Sequence, residues 1–193
     1  MGIQIGSSLK HWNYFLALEK DLENLSRYVE FCDSNFDCYS LEMARILFSA
    51  ASEADVVAKL LCKKLNSKTK ADNIYGYIKE IKPACPKLPD FHIVIPRYSI
   101  DLHPWDNWKR NTVPLWWTAY NNVKHHRDTE FQGANLKNVL NAVAGLFVVI
   151  LHLYKEKAEN AELLPMSSFL RAGEKHFDGT THNGIEVGIN YKF

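Results

Sequence analysis

Between positions 116 and 127 the chain reads Trp116-Trp117-Thr118-Ala119-Tyr120-Asn121-Asn122-Val123-Lys124-His125-His126-Arg127. Two tryptophans lead into amides, an ammonium, two imidazoles and a guanidinium. At helical pitch Trp117, Asn121, Lys124 and His125 share one face, while Trp116, Tyr120 and Val123 fall on a neighbouring face that can be buried. Asn121 stands four positions before His125, so its amide can orient the imidazole. An imidazole titrates near neutrality and suits general acid–base work on a ribose hydroxyl or a leaving oxygen. Lys124 and Arg127 would offset charge on a phosphorane-like transition state. Such RNA cleavage needs no metal, because the 2′-hydroxyl is an internal nucleophile. The plain alternative is a pair of surface histidines on a solvated basic edge.

Other chemistries are weaker in this chain. His125, His126, Asp128, Glu130 and His103 offer metal-ligand types, but adjacent histidines diverge around a helix and no HExxH spacing occurs. No metal and no other cofactor is expected. There is no G-x-S-x-G, and Cys32, Cys38, Cys62 and Cys85 form no CxxC pair or zinc-finger spacing. Cys62, in the apolar run Leu60-Leu61-Cys62, reads as a buried thiol.

The whole chain gives a neutral background. Its 193 residues suit one domain, 47% hydrophobic residues supply a core, and a net charge of +1 gives no global pull toward nucleic acid or membrane. A polyanion must therefore meet a local patch, with Lys109, Arg110, Tyr120 and His126 as further candidate RNA or phosphate contacts. The start, Met1-Gly2-Ile3-Gln4-Ile5-Gly6-Ser7-Ser8, lacks the pattern of a signal peptide or a myristoylation site. The longest apolar run, Leu146 to Leu151, is too short to span a bilayer. A cytoplasmic protein without membrane association is expected.

Helices must position the motif. Ser7 or Ser8 can cap a first helix over about Leu9 to Phe31, with Phe15, Leu18, Leu22, Leu25 and Val29 on one stripe and Glu19 mostly off it. Ser40 can cap a second, Leu41 to Leu65, whose stripe is rich in alanine and permits close packing. Within it Asp55 and Lys59 form an i,i+4 pair, unless Glu53, Asp55 or Lys59 faces the Asn121/His125 surface. A shorter helix covers Asp72 to Ile81. Six prolines then puncture the segment 82–114, in which Phe91–Ile95 and Tyr98–Ile100 are strand-like around Pro96-Arg97. Trp105 and Trp108 cover a pocket or cap the bundle's end. Asn111 or Thr112 caps the motif helix, which runs to Arg127-Asp128. Asn135 starts a last helix apolar on so many sides that it belongs in a core or at a dimer interface. Asp178-Gly179 and Asn183-Gly184 are turn signals, and Gly184–Tyr191 alternates like a strand. The expected fold is mainly α: a bundle of four to five helices over 1–165, with a small β-containing Pro-rich insert and a β-rich tail over 166–193.

Tyr120-Asn121-Asn122-Val123-Lys124-His125-His126-Arg127, on a shorter helix flanked by longer ones, resembles the HEPN superfamily. Its helical domains occur in ribonuclease toxins, antiphage-defence proteins and RNA-processing factors. The likeness is most specific at Asn121, Lys124 and His125 and extends weakly over Leu41–Leu65 and Asn135–Lys157. It implies a homodimer whose motif helices face one another, cleaving RNA without metal in a shared cleft. It also implies an antitoxin or defence-system protein as a possible partner. One departure stands out: active members carry an arginine upstream of the histidine, whereas Thr118, Ala119 and Tyr120 stand here and the nearest upstream arginine is Arg110. Arg127 or a partner subunit would have to supply the cation; otherwise the domain binds without cleaving.

Overall fold

The computed structural model describes residues 8–193. The readings made on Met1–Gly6, and Ser7 as a cap, lie outside the described residues. The fold is mainly α, built from α1 (Lys10–Leu25), α2 (Leu41–Leu65), α3 (Ile74–Ala84), α4 (Leu115–His125), α5 (Arg127–Glu130), α6 (Leu136–Leu153) and α7 (Lys155–Glu159). Between α3 and α4 stands the hairpin β1 (Ile93–Ile95) and β2 (Ile100–Leu102); the tail adds β3 (Arg171–Ala172), β4 (Phe177–Asn183) and β5 (Glu186–Tyr191).

The neighbours α2 and α6 make the centre and run the same way: the Leu136 N–H donates to the Cys38 carbonyl at 2.9 Å at their starts, and Lys64 donates to the Leu153 carbonyl at 2.9 Å at their ends. Ser40 accepts from the Met43 amide at 3.1 Å and starts α2; Asn135 accepts from the Asn138 amide at 3.0 Å and starts α6. Each cap satisfies an otherwise orphaned N–H. The small residues Ala44, Ala50, Ala51, Ala54 and Ala58 of α2 are buried and let α6 approach closely. By length and composition α6 is apolar enough to cross a membrane, yet 78% of it is buried inside the protein. Its apolar surface is covered by its own chain.

α1 packs on the central pair through Trp12 and Phe15, the latter stacked on Phe147 at 4.5 Å between ring centroids. It ends at Leu25, not near Phe31. The Ser26 hydroxyl donates to the Glu23 carbonyl at 2.7 Å, a local bond that competes with helix continuation. Phe31 instead packs on Tyr98 and Phe169.

Glu19 was expected off the apolar stripe and is buried. Its carboxylate accepts from the Ser167 hydroxyl and from the backbone N–H groups of Ser168, Phe169 and Leu170, the last two at 2.9 Å each. A buried carboxylate is tolerable when donors surround it, and these donors need it equally. Glu19→Gln keeps the shape but replaces an acceptor by an NH₂ group. It is expected to lower the unfolding free energy by about 1–3 kcal/mol, measured by urea denaturation, and to speed proteolysis near residues 167–170.

In the Pro-rich insert the second strand lies two residues later than the expected Tyr98–Ile100. Pro96–Tyr98 form a 3-10 turn and Ser99 takes a left-handed conformation, φ 53°, before β2 begins. The register pairs Ile93 with Leu102, Val94 with Asp101 and Ile95 with Ile100, and β3 adds to the other edge of β1. The tail is thus tied back to the insert. β4 and β5 form an antiparallel hairpin around Asn183-Gly184, with Gly184 at φ 69°; Asp178-Gly179 marks a register shift within β4, not a turn.

Two helix boundaries near the motif differ from expectation. Asn111, at φ 57°, closes the 3-10 turn Asp106–Arg110, and Thr112 bonds back to the Asn107 carbonyl. Neither caps α4, which starts after Pro114. α4 then stops at His125 because the backbone at His126 leaves helical geometry, φ −136° and ψ 44°, before α5. Likewise α6 ends at Leu153, with α7 separate beyond Tyr154. α3 runs past Ile81 to Ala84, carrying Pro83 in its last turn.

Candidate functional site

α4 is positioned by its tryptophans. The Trp116 indole N–H donates to the Pro104 carbonyl at 2.8 Å, and Trp105 donates to the Gly145 carbonyl at 3.0 Å. Trp105, Trp108, Trp116 and Trp117 form a run of ring contacts with centroids 4.5–5.4 Å apart. Trp105 and Trp108 are wholly buried and close the bundle's end. Trp117 is also buried, edge-on to Tyr77 at 6.4 Å. It anchors the polar face from beneath instead of sharing it.

Two neighbouring grooves flank the exposed side of α4. One, of about 590 Å³, lies between α2 and α4 and is lined by Phe48, Ser52, Tyr120, Lys124 and Arg127 among others. The second, about 400 Å³, brings Asn121 and Lys124 opposite Asp55 of α2 and Asp72 before α3. Asp55 accepts from the Tyr77 hydroxyl at 2.9 Å and stands 3.7 Å from Lys59. It therefore serves both as the expected i,i+4 partner and as part of the α4 surface. Glu53 turns away to His11, at 2.5 Å.

The motif residues divide by neighbourhood. Lys124 lies over the Tyr120 ring at 5.5 Å and Arg127 over Phe131 at 5.1 Å. His125 and His126 are exposed, with ring centroids 6.5 Å apart. Among the described residues none of these four makes an ion pair or a side-chain hydrogen bond. Lys124 and His125 occupy the last turn of α4, where a cation also complements the helix's partial negative charge. Asn121 does not orient His125: its amide donates to the Trp117 carbonyl at 3.0 Å, one turn back. A mid-helix asparagine finds that carbonyl easily.

Lys109 and Arg110 are not part of this surface. Lys109 is held by Asp90 at 2.9 Å and Asp106 at 2.7 Å, which raise its pKa, through the Asp106 bond first. It lines a third groove of about 700 Å³ with His92, Asp101 and His103. Arg110 lines yet another, beside Asn107 and Asn138. His103 likewise sits with His92 and Asp101, apart from His125, His126, Asp128 and Glu130.

Sequence reading missed this third groove. Its signal lay in the hairpin, because the register that pairs Ile93 with Leu102 sets His92 against His103. Cys62 is buried as expected, and burial pushes its thiol up to about 12; Cys32, Cys38, Cys62 and Cys85 are all free. No protein-family model, no curated protein and no solved structure matches this chain.

Proposed function

We propose that the exposed end of α4 binds RNA phosphates and that His125 makes the protein a metal-independent, HEPN-like endoribonuclease of the toxin or antiphage-defence kind. One observation carries the reading. Lys124, His125, His126 and Arg127 follow one another on the surface, and no acidic side chain within ion-pairing distance neutralises them among the described residues. Unpaired cations at the lip of a groove favour a polyanion by releasing its counterions. Tyr120, half-buried beside Lys124, offers a ring face to an unstacked base.

In this mechanism His125 accepts the 2′-hydroxyl proton and returns one to the 5′-oxygen leaving group. Lys124 and Arg127 offset charge on the pentavalent phosphate. The upstream arginine of the family has no counterpart here, so Arg127 or a facing α4 from a second copy supplies that cation. A homodimer joined across α4, held in check by an antitoxin or defence partner, is the assembly this chemistry needs. A cytoplasmic setting would keep the free thiols reduced.

A second reading is favoured by Asn121, whose amide is spent on Trp117 and leaves His125 without an orienting bond. In that reading the same cations bind RNA, a nucleotide or a protein partner without cleaving.

The deciding experiment is cleavage of total RNA in EDTA by wild type and His125→Ala. The nuclease reading expects EDTA-resistant cleavage that vanishes in the variant while its circular dichroism is unchanged. Undiminished cleavage by His125→Ala would end it. If neither protein cleaves, yet RNA binding is retained and lost in Lys124→Ala, the binding module stands. In either case Lys124→Ala and Arg127→Ala should each lower the salt slope of RNA affinity by about one unit.

A further inference from the structure

We propose that His92, Asp101 and His103 form a binding site for a divalent first-row transition ion, of which zinc is the representative, on the β1–β2 hairpin. The proposal is independent of the reading of α4.

The site follows from strand geometry. In the antiparallel register the pairing of Ile93 with Leu102 sets His92 opposite His103, and Asp101 lies two residues from His103 on the same strand. Cross-strand partners and i,i+2 neighbours share one face of a sheet, so all three side chains project together. One donor atom from each lies within 4.8 Å of the other two. His92 Nδ1 is 2.9 Å from one Asp101 oxygen, and His103 Nε2 is 3.4 Å from the other. The two imidazoles stand 5.4 Å apart at 21° between planes. Zinc–nitrogen and zinc–oxygen bonds of about 2.0–2.2 Å put tetrahedral ligand atoms a little over about 3 Å apart. The observed spacing is of that kind.

A second feature points the same way. His92 Nε2 is buried without a hydrogen-bond partner. Gly173 closes over it, and a Cβ at Gly173 would collide with the ring. Nδ1 is therefore the nitrogen turned toward the other two donors, and the ring cannot swing to offer its other edge. A ligand held in one orientation loses little freedom on binding.

The donor chemistry selects the ion. Two imidazoles and a single carboxylate suit zinc and its first-row neighbours, whereas calcium and magnesium take oxygen ligands. Three protein donors leave a coordination position open, and the groove of about 700 Å³ lies beside it. Lys175 and Lys192 line that groove with no ion pair among the described residues, while Lys87 and Lys109 are held by the Phe193 carbonyl and by Asp90 and Asp106. An anionic small molecule on the open position would meet those two ammonium groups.

The test titrates zinc into the chelator-treated full chain by calorimetry, beside His103→Ala, Asp101→Asn and the double variant. His103 and Asp101 are each about half exposed, so these variants should fold; far-UV circular dichroism checks that they do. The site predicts one saturable zinc per chain, and cobalt giving visible bands of a low-coordinate complex. Each single variant should bind at least about tenfold more weakly, the scale known even for losing an outer-shell partner. Zinc binding unchanged in the double variant would overturn the proposal, as would no saturable binding by wild type. So would calcium or magnesium binding as tightly as zinc. His125→Ala/His126→Ala should bind zinc like wild type; loss of binding there would place the ion on α4 instead.

Discussion

Trp116→Ala is expected to cost about 3–5 kcal/mol of stability, the upper range for truncating a core aromatic. Trp116 is 2% exposed, and its ring meets Trp105 and Trp117 edge-on. Its removal leaves a large cavity and deprives the Pro104 carbonyl of its indole donor. Both losses fall on the joint between the insert and α4. Lys124 and His125 belong to that helix, so RNA binding or cleavage should weaken with stability although neither side chain is altered.

The seat for this indole is on α6. A Cβ at Gly145 would lie 2.7 Å from Trp116 Cζ2, closer than carbon atoms tolerate, and the indole is too tightly surrounded to retreat. Gly145→Ala alone should therefore cost about 1–3 kcal/mol through overpacking. Its helical backbone would otherwise welcome alanine. In the Trp116→Ala background the same methyl meets no ring and fills part of the cavity. The double variant should then be less destabilised than the two single costs added together, a coupling resolved by urea denaturation of all four proteins. Strict additivity would mean that the glycine and the indole do not hold one another.

How much of this was readable in advance depends on how local each cause is. Ser40 before Leu41 and Asn135 before Leu136 are caps followed by long periodic runs, and α2 and the start of α6 fall where those signals put them. The apolar breadth of α6 was plain too, but a hydrophobic pattern does not say what covers it; here α1, α2 and α4 do. Glu19 looks solvent-facing by spacing alone. Only the return of residues 167–170 to α1, about 150 positions along the chain, supplies its donors. Trp117 shows the same limit at the site, because its burial is decided by Tyr77 of α3. Asn121 fails as an orienting group for a local reason, since the Trp117 carbonyl one turn back competes for its amide. His92 and His103 were separately visible but joined only by a hairpin register that shifted when Pro96–Tyr98 became a turn.

Stability should also fall as the pH drops below about 6.5, and His152 is the main identifiable cause. It lies in the last turn of α6, 6% exposed, with Nδ1 donating to the Val148 carbonyl at 2.8 Å and Phe91 and Phe193 edge-on to its ring. Burial among these groups, then nearby Lys155 and His176, holds its pKa down to about 4, against 6.5 in the unfolded chain. Between those values the unfolded chain takes up a proton that the folded one refuses. Stability is thus full above pH 6.5, declines through the window and levels off below pH 4. A gap of this size is worth about 3 kcal/mol in all. His176, stacked on Phe91 at 3.6 Å, is lowered mainly by its own burial and adds in the same direction. Glu23, Glu42 and Asp106, held low chiefly by hydrogen bonds from Lys20, Arg45 and Lys109, contribute above their unfolded values near pH 4 and lose that contribution only in stronger acid. The interval from pH 6.5 to 5 therefore separates the buried imidazoles from these carboxylates. Urea unfolding of wild type and His152→Leu across that interval should show a steep loss in the first and a shallower one in the second. Parallel curves would mean that the folded protein already accommodates the charged ring.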